Sequence, residues 1–255
     1  MGYLWESIRL PRYKLTIQYD GSVYCGWQLQ ENEKTIQGIL ESAIRKISGS
    51  EDRIPIYGAG RTDAGVHAWK QVAHVDLNTR LSENEINNAL NGNLPDDCRI
   101  MTVERVSNDF QARFDAIRRY YRYQIYQGDS ILFRNQAWHL DLLDIECLND
   151  IGSIFLGEHD FLSFSKYRKD LGNTNCTIHK SEWNVDGKML IFSITGNRFL
   201  HHMVRYLVGS MVAVSQKQFT KERFSALLSN PKRNVKIFKA PAHGLILERK
   251  TQKKR

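Results

Sequence analysis

The chain has 255 residues, of which 42% are hydrophobic and 25% charged, as is usual for a soluble globular protein. No apolar stretch is long enough to span a bilayer, and residues 1–12 lack the apolar core of a signal peptide, so we expect a cytoplasmic protein without a membrane partner. The net charge of +8 indicates a polyanionic partner, with nucleic acid as the first candidate.

The apolar pattern of the first half predicts the order β-α-β-β-α-β, which is the ferredoxin-like arrangement. Gly49 is placed to end the first helix, and a capping box formed by Ser82 and Glu85 marks the start of the second. The predicted elements are strand 13–19, helix 36–47, strands 53–57 and 71–77, a helix after residue 82, and strand 99–106.

The second half gives the same order with insertions. A hairpin at Asp186-Gly187 joins its two central strands. A hydrophobic staple formed by Phe219 and Phe224 marks the start of a short helix near the C-terminal end of this half. The predicted elements are strand 119–126, a short strand 137–140, a helix ending at Gly157, strands 178–185 and 188–195, helix 198–214, the stapled helix, and strand 244–248. We therefore predict an α+β fold of two halves, 1–110 and 111–255, which form one catalytic unit around a central cleft.

A glycine-rich run, G-A-G-R-T-D-A-G-V-H, occupies residues 58–67. Its glycines permit unusual backbone conformations and a close ligand. Its one carboxylate, Asp63, follows Arg61 by two residues, and a guanidinium there could hold the acid ionised for nucleophilic or electrostatic catalysis. Residue types alone favour a plain turn, because Asp and Gly are common in turns.

Basic and aromatic residues alternate in the strand at residues 118–126, R-R-Y-Y-R-Y-Q-I-Y. The period of two places Tyr121 and Tyr123 on one face. Exposed tyrosines could stack on bases while the arginines neutralise phosphates. Core-facing tyrosines would give the same pattern, because tyrosine is a good strand former.

Residues 197–205, N-R-F-L-H-H-M-V-R, begin the predicted helix 198–214. His202 and Arg205 are three residues apart and could face one ligand, and a helix start favours phosphate. The adjacent His201 and His202 cannot point the same way on a helix, which argues against a metal site. A polar stripe at the rim of a buried helix would explain the segment equally well.

The four cysteines lie far apart without a C-x-x-C pair, which favours reduced packing residues over a disulfide framework or a zinc site. Residues 249–255 carry five basic side chains, and we expect a solvated, frayed end there. Residues 166–175 form a polar insertion.

Together these segments resemble the tRNA pseudouridine synthase A (TruA) family, from about residue 13 to the last strand. The run G-R-T-D-A-G-V-H at 60–67 is highly specific to that family. Supporting segments match in order and spacing: Y-D-G at 19–21, G-W-Q at 26–28, N-L-P at 93–95, A-R-F at 112–114, Y-R-Y at 121–123, H-D-F at 159–161 and F-L-H-H-M-V-R at 199–205.

The resemblance implies the pseudouridine synthase fold, with two ferredoxin-like halves sharing a mixed, mainly antiparallel sheet. It implies an isomerase that converts uridine to pseudouridine at positions 38–40 of the tRNA anticodon arm, as a homodimer and without cofactor or metal. By motif, Asp63 would attack the substrate and Tyr121 would contact the target uridine. Arg61 would orient the acid at the substrate, and Arg205 would help bind RNA.

Two other function classes remain open from the residues themselves. A non-catalytic RNA-binding protein needs only the charge and the aromatic strand, but it leaves the loop aspartate unexplained. A metal-dependent nuclease or hydrolase could use Asp63 and His67, but it would need more ligands than this loop offers.

Overall fold

The computed structural model of the chain describes residues 10–166 and 172–253. Within these ranges, the first half has four strands and two helices in the predicted order. They are β1 (Arg12–Tyr19), α1 (Ile36–Ser48), β2 (Tyr57–Gly58), β3 (His67–Asp76), α2 (Glu83–Asn91) and β4 (Cys98–Val106).

The second half repeats this order, with two short strands, a 3₁₀ turn and one helix added. Its elements are β5 (Ala116–Gln127), β6 (Trp138–Leu140), α3 (Ile145–Ser153), β7 (Gly157–Asp160), the 3₁₀ turn Leu162–Phe164, β8 (Asn175–Asp186), β9 (Met189–Gly196), α4 (Met203–Ser215), α5 (Lys221–Ser229) and β10 (Leu245–Gln252).

The ten strands form a single sheet in the order β4-β1-β3-β10-β5-β9-β8-β7, with β2 paired to β3 and β6 paired to β5. The first half has the ferredoxin-like order β4-β1-β3-β2, and the second has the equivalent order β10-β5-β9-β8. β10 runs parallel to β3 and thereby joins the halves. Only β10–β3 and β5–β6 are parallel among the described pairs, so the predicted mixed, mainly antiparallel α+β fold is confirmed.

Each half has its own apolar core, and at the junction a residue from each half is buried in the core of the other half. Leu247 of β10 is buried in the core of the first half, while Val66 is buried in the core of the second. Tyr121 on β5 packs against both cores. The segment containing Val66 and the strand containing Tyr121 are therefore fixed relative to each other by buried contacts. The division at residue 110 stays a prediction.

The predicted helix ends in the first half are confirmed. Thr35 Oγ1 accepts a hydrogen bond from the Gly38 N–H at the start of α1, and Gly49 ends it with a left-handed φ of 64°. The capping box of Ser82 and Glu85 is present at the start of α2.

The predicted strand 53–57 is wrong except at its last residue, because only Tyr57–Gly58 pair with β3. Pro55 has no N–H to offer a ladder. The Ile56 N–H instead donates to Glu41 Oε1 on α1, at 3.1 Å. Side-chain hydrogen bonds to a helix therefore replace strand pairing here.

The predicted helix 198–214 is wrong at its start, because α4 begins only at Met203. His202 has a left-handed φ of 63°, which an α-helix cannot accommodate. The His201 carbonyl accepts a hydrogen bond from the Lys166 N–H at 3.0 Å, outside any helix. The two histidines therefore lie in a turn ahead of α4, and this changes where their side chains point.

The basic C-terminal segment is ordered farther than predicted. β10 extends through Gln252, the Arg249 guanidinium lies 4.4 Å from the ring centre of Tyr120, and Lys250 is buried. The expectation of a frayed end is therefore wrong for residues 249–252. Residues 1–9 and 254–255, together with residues 167–171 of the predicted insertion, lie outside the described residues.

Candidate active site

The glycine-rich run forms a loop, residues 59–66, between β2 and β3. Backbone hydrogen bonds hold it against the segment that follows β1. The Trp27 N–H donates to the Thr62 carbonyl at 3.1 Å, and the Gly65 N–H donates to the Tyr24 carbonyl at 3.2 Å. The loop is therefore held by a distant part of the chain in addition to its own turn, in which the Val66 N–H donates to the Asp63 carbonyl at 3.2 Å.

Two glycines after β1 allow this close approach. A Cβ at Gly26 would lie 2.6 Å from the Thr62 carbonyl oxygen, and Gly26 has a φ of 88°. A Cβ at Gly21 would lie 2.1 Å from the Val66 carbonyl oxygen. The Y-D-G and G-W-Q segments thus serve to seat the loop.

Asp63 faces three side chains from the start of α4 and the turn before it. Arg205 Nη1 lies 3.3 Å from Asp63 Oδ2, and His202 Nε2 lies 3.5 Å from the same oxygen. His201 Nε2 lies 3.4 Å from Asp63 Oδ1. The Asp63 side chain keeps 19% of its surface exposed, so a ligand can reach it from solvent.

Burial acts to raise the pKa of the Asp63 carboxyl. The hydrogen bond from His201 and the charges of His202, His201 and Arg205 outweigh that effect, so the pKa lies below its ordinary value. Burial also lowers the pKa of His202 to about 4, against the attraction of Asp63. His202 is therefore neutral near pH 7, and Arg205 is the permanent cation on the carboxylate.

These contacts bear on two predictions. Arg205, not Arg61, lies within ion-pair distance of Asp63 among the described residues, and its Nε also donates to the Ala240 carbonyl at 2.9 Å. The Arg205 side chain is only 11% exposed and already paired, so we expect it to hold Asp63, while its predicted contact with RNA stays a prediction. Arg61, two residues before Asp63 in the sequence, is exposed, which leaves it open to a substrate.

The argument against a shared ligand for His201 and His202 is also wrong. Both imidazoles face Asp63 because they precede the helix, and their ring centres are 4.0 Å apart. The structure does not support the alternative that paired Asp63 with His67, because both ring nitrogens of His67 contact other groups. His67 Nδ1 accepts from the Gly21 N–H at 3.0 Å, and Nε2 lies 3.0 Å from the His243 carbonyl oxygen.

Tyr121 lies at the junction of the two cores, near Asp63. Its ring packs edge-on against Phe199, with ring centres 5.2 Å apart. Burial raises the pKa of the Tyr121 hydroxyl, and the negative charge of Asp63 raises it further. The phenol is therefore protonated in the free protein.

A buried polar layer supports the loop from below. Lys250 Nζ donates to Gln71 Oε1 at 2.7 Å, and Gln71 Nε2 donates to the Gly60 carbonyl at 2.9 Å. The hydroxyls of Tyr19 and Thr62 are 2.8 Å apart. Lys250 is 9% exposed, and burial lowers the pKa of its ammonium group well below the ordinary value, with Arg119 acting in the same direction.

The Lys250→Met variant is expected to be more stable than the wild type, because methionine fills the same space without burying a charge. Gln71 Oε1 keeps the Val72 N–H as a donor. The unfolded chain holds the lysine proton up to a pH of about 10.4, so the cost of burying it is relieved as pH rises toward that value. The gain in melting temperature should therefore be largest at neutral pH and shrink in alkali.

Thermal unfolding from pH 6 to pH 10 checks this, with the exposed Lys188→Met variant as the control. A gain that is independent of pH, or a loss of stability at every pH, would contradict it.

Among the described residues, no helix has both the length and the apolar character needed to cross a membrane.

Comparison with known proteins agrees with this geometry. A family model described as tRNA pseudouridine synthase matches residues 15–115 and 153–250, which include Asp63, His201, His202 and Arg205 but not Tyr121. Proteins named tRNA pseudouridine synthase A from several bacteria are similar to this chain, and three of them serve as examples. That of Rhodopseudomonas palustris (strain BisA53) is 39% identical over 242 residues, and that of Bacillus licheniformis is 37% identical over 241; each alignment covers 93% of this chain and 98% of the relative. That of Maridesulfovibrio salexigens is 38% identical over 243 residues and covers 93% of this chain and 89% of the relative. The chain therefore belongs to the tRNA pseudouridine synthase family.

Proposed function

We propose that this protein isomerises uridine to pseudouridine in tRNA in the cytoplasm, at positions 38–40 of the anticodon arm, without a cofactor or a metal ion. The observation that carries the proposal is the partly exposed Asp63 carboxylate, held against Arg205 on a loop that matches the family. A non-catalytic RNA-binding protein would have no use for this arrangement. The names of the relatives support tRNA as the substrate.

The reaction breaks the bond between uracil N1 and the ribose, turns the base, and joins C5 to the same sugar carbon. Product and substrate are isomers, so no electron acceptor or phosphoryl donor is required. An ionised carboxylate is sufficient to attack the target nucleotide when water is excluded. Asp63 supplies this carboxylate, and Arg205 favours its charged form.

The target nucleotide must leave its stack to reach Asp63, at a cost of a few kcal/mol. Tyr121 lies beside Asp63 and offers a ring and a protonated hydroxyl to the displaced base. Contact with the base would offset part of the unstacking cost. We assign Tyr121 to binding of the target uridine.

Arg61 is proposed to contact the RNA, because it is exposed on the same loop as Asp63, two residues before it in the sequence. We expect Arg61→Met to weaken tRNA binding and to flatten the log–log dependence of affinity on salt by about 0.7 to 0.9 units, as for the loss of one phosphate contact. Filter binding over a range of salt concentrations measures this. Lys70→Met, at an exposed site on β3, is the control. An unchanged slope in Arg61→Met would remove Arg61 from the phosphate contacts.

A homodimer is proposed from the family resemblance, in which one subunit reacts while its partner grips the tRNA body. Ile131, Leu132 and Leu142, which flank β6, are largely exposed in the single chain and supply apolar surface of the kind that a second copy covers. We expect a dimer at micromolar protein by light scattering, and slower modification of an isolated anticodon stem-loop than of whole tRNA. A monomer that modifies both RNAs equally fast would contradict the dimer and leave the catalytic proposal standing.

Mapping of the modified positions tests the proposed substrate. Unmodified tRNA transcripts are treated with the protein, derivatised with a carbodiimide that marks pseudouridine, and read by primer extension. We expect stops that report uridines 38–40, and none in transcripts with cytidine there. Stops only at other positions would overturn the anticodon-arm assignment.

A further inference from the structure

Three side chains of types that bind metal ions converge at the active site. Asp63 Oδ1 lies 3.4 Å from His201 Nε2, and Asp63 Oδ2 lies 3.5 Å from His202 Nε2. The three ligand atoms all lie within 4.8 Å of one another. Two ligands of a tetrahedral zinc ion are about 3.4 Å apart when the metal bonds are about 2.1 Å long. One ion can therefore join the carboxylate to both imidazoles after small side-chain rotations.

The chemistry of these ligands selects the class of metal. Two imidazole nitrogens and one carboxylate oxygen form a set that binds Zn²⁺ and its neighbours Co²⁺, Ni²⁺ and Cu²⁺. Mg²⁺ and Ca²⁺ prefer sites made of oxygen alone. Three protein ligands leave a fourth position for water.

The surroundings favour reversible binding over a resident ion. The His201 side chain is 39% exposed, so an ion can enter from solvent. His202 Nδ1 is buried without a hydrogen-bond partner in the described part of the chain, whereas resident metal sites usually anchor this second nitrogen. Arg205 Nη1, 3.3 Å from Asp63 Oδ2, also repels a cation. The unanchored nitrogen of His202 and the charge of Arg205 both weaken metal binding, and we expect a dissociation constant in the micromolar range.

We propose that Asp63, His201 and His202 form an inhibitory binding site for a zinc-class metal ion. Coordination bonds replace bound water, and no group is oxidised or reduced. The ion occupies the carboxylate lone pairs that the isomerisation needs and fills the space of the target nucleotide. The inhibition rests on the proposed role of Asp63, whereas the metal binding does not.

Binding is tested first, without an activity readout. The full-length protein, freed of metal with a chelator, is titrated with Zn²⁺ in a calorimeter and with Co²⁺ in a spectrophotometer. We expect one ion per chain and the visible absorption of tetrahedral Co²⁺ with nitrogen and oxygen ligands. His201→Gln and, as a second variant, His202→Gln should weaken the affinity at least about tenfold. His179→Gln, at an exposed site on β8, should leave it unchanged.

Three binding results would overturn the site: no binding at millimolar metal, thiolate-type cobalt absorption from Cys25 or Cys147, or affinity unchanged in both cluster variants with an intact fold. Inhibition is then tested by measuring pseudouridine formation against free Zn²⁺. We expect the midpoint of inhibition to match the dissociation constant, with full recovery in EDTA. Binding without inhibition would overturn the inhibitory role and count against Asp63 as the reacting group. An inactive protein that still binds Zn²⁺ at these residues would overturn the proposed isomerase function alone.

Discussion

The Asp63→Asn variant is expected to bind tRNA almost as tightly as the wild type and to lose at least about 10⁴-fold in turnover. Asparagine has nearly the same shape, so the loop should keep its backbone hydrogen bonds to Trp27 and Tyr24. The amide, however, is not a nucleophile. Single-turnover kinetics and filter binding on the same preparation separate these two effects.

The matched control for this variant is Asp52→Asn, because Asp52 is an exposed aspartate on the segment between α1 and β2. The Asp52→Asn variant should form pseudouridine at the wild-type rate. Asp63→Asn with near-normal turnover would show that the carboxylate is not the reacting group. A parallel loss of tRNA affinity and melting temperature would show that Asp63 is structural.

The Arg205→Met variant is expected to lose on the order of 10²-fold in kcat and to shift the acid side of the pH–rate profile upward. Burial of the Asp63 carboxyl raises its pKa, and His201, His202 and Arg205 together oppose this effect, with Arg205 as the permanent cation among them. Without the guanidinium the pKa of Asp63 rises. The carboxylate is then protonated, and activity is lost, at a higher pH than in the wild type. The salt dependence of tRNA binding should stay unchanged, because Arg205 already binds Asp63 and the Ala240 carbonyl.

Rates and affinities across pH and salt check this, with Arg205→Lys as the charge-preserving control. The lysine variant should keep the acid limb near its wild-type position. An unmoved acid limb in Arg205→Met, together with a salt slope flattened by about one unit, would instead make Arg205 a phosphate contact.

The loop that carries Asp63 could be found in the sequence because its backbone and its seat require glycine. Gly65 in the loop has a φ of 76° and Gly26, which seats the loop, has a φ of 88°, and glycine is the residue that adopts such values most readily. The bounds of the strongly periodic elements β1 and α1 are predicted to within one residue, because their apolar faces match the sheet and helix periods.

The partners of Asp63 were harder to predict because they depend on tertiary structure. Arg61 is close in sequence, but the guanidinium on the carboxylate belongs to Arg205, 142 residues away. His201 and His202 reach Asp63 through the left-handed backbone of His202, which residue types do not signal.

Lys250 was missed for a similar reason. The pairing of β10 with β5 shifts register between Leu247 and Arg249, and a one-residue shift moves a side chain to the other face of a strand. Periodicity alone therefore cannot place Lys250 in the buried layer beneath the loop.

Release of tritium from tRNA labelled at uracil C5 tests the central claim most directly, because joining C5 to the sugar expels that hydrogen. The wild-type protein, assayed in EDTA with no added cofactor, should release one tritium per target uridine and leave the RNA backbone intact. Tightly bound tRNA without tritium release, or release that requires an added metal ion, would contradict the account.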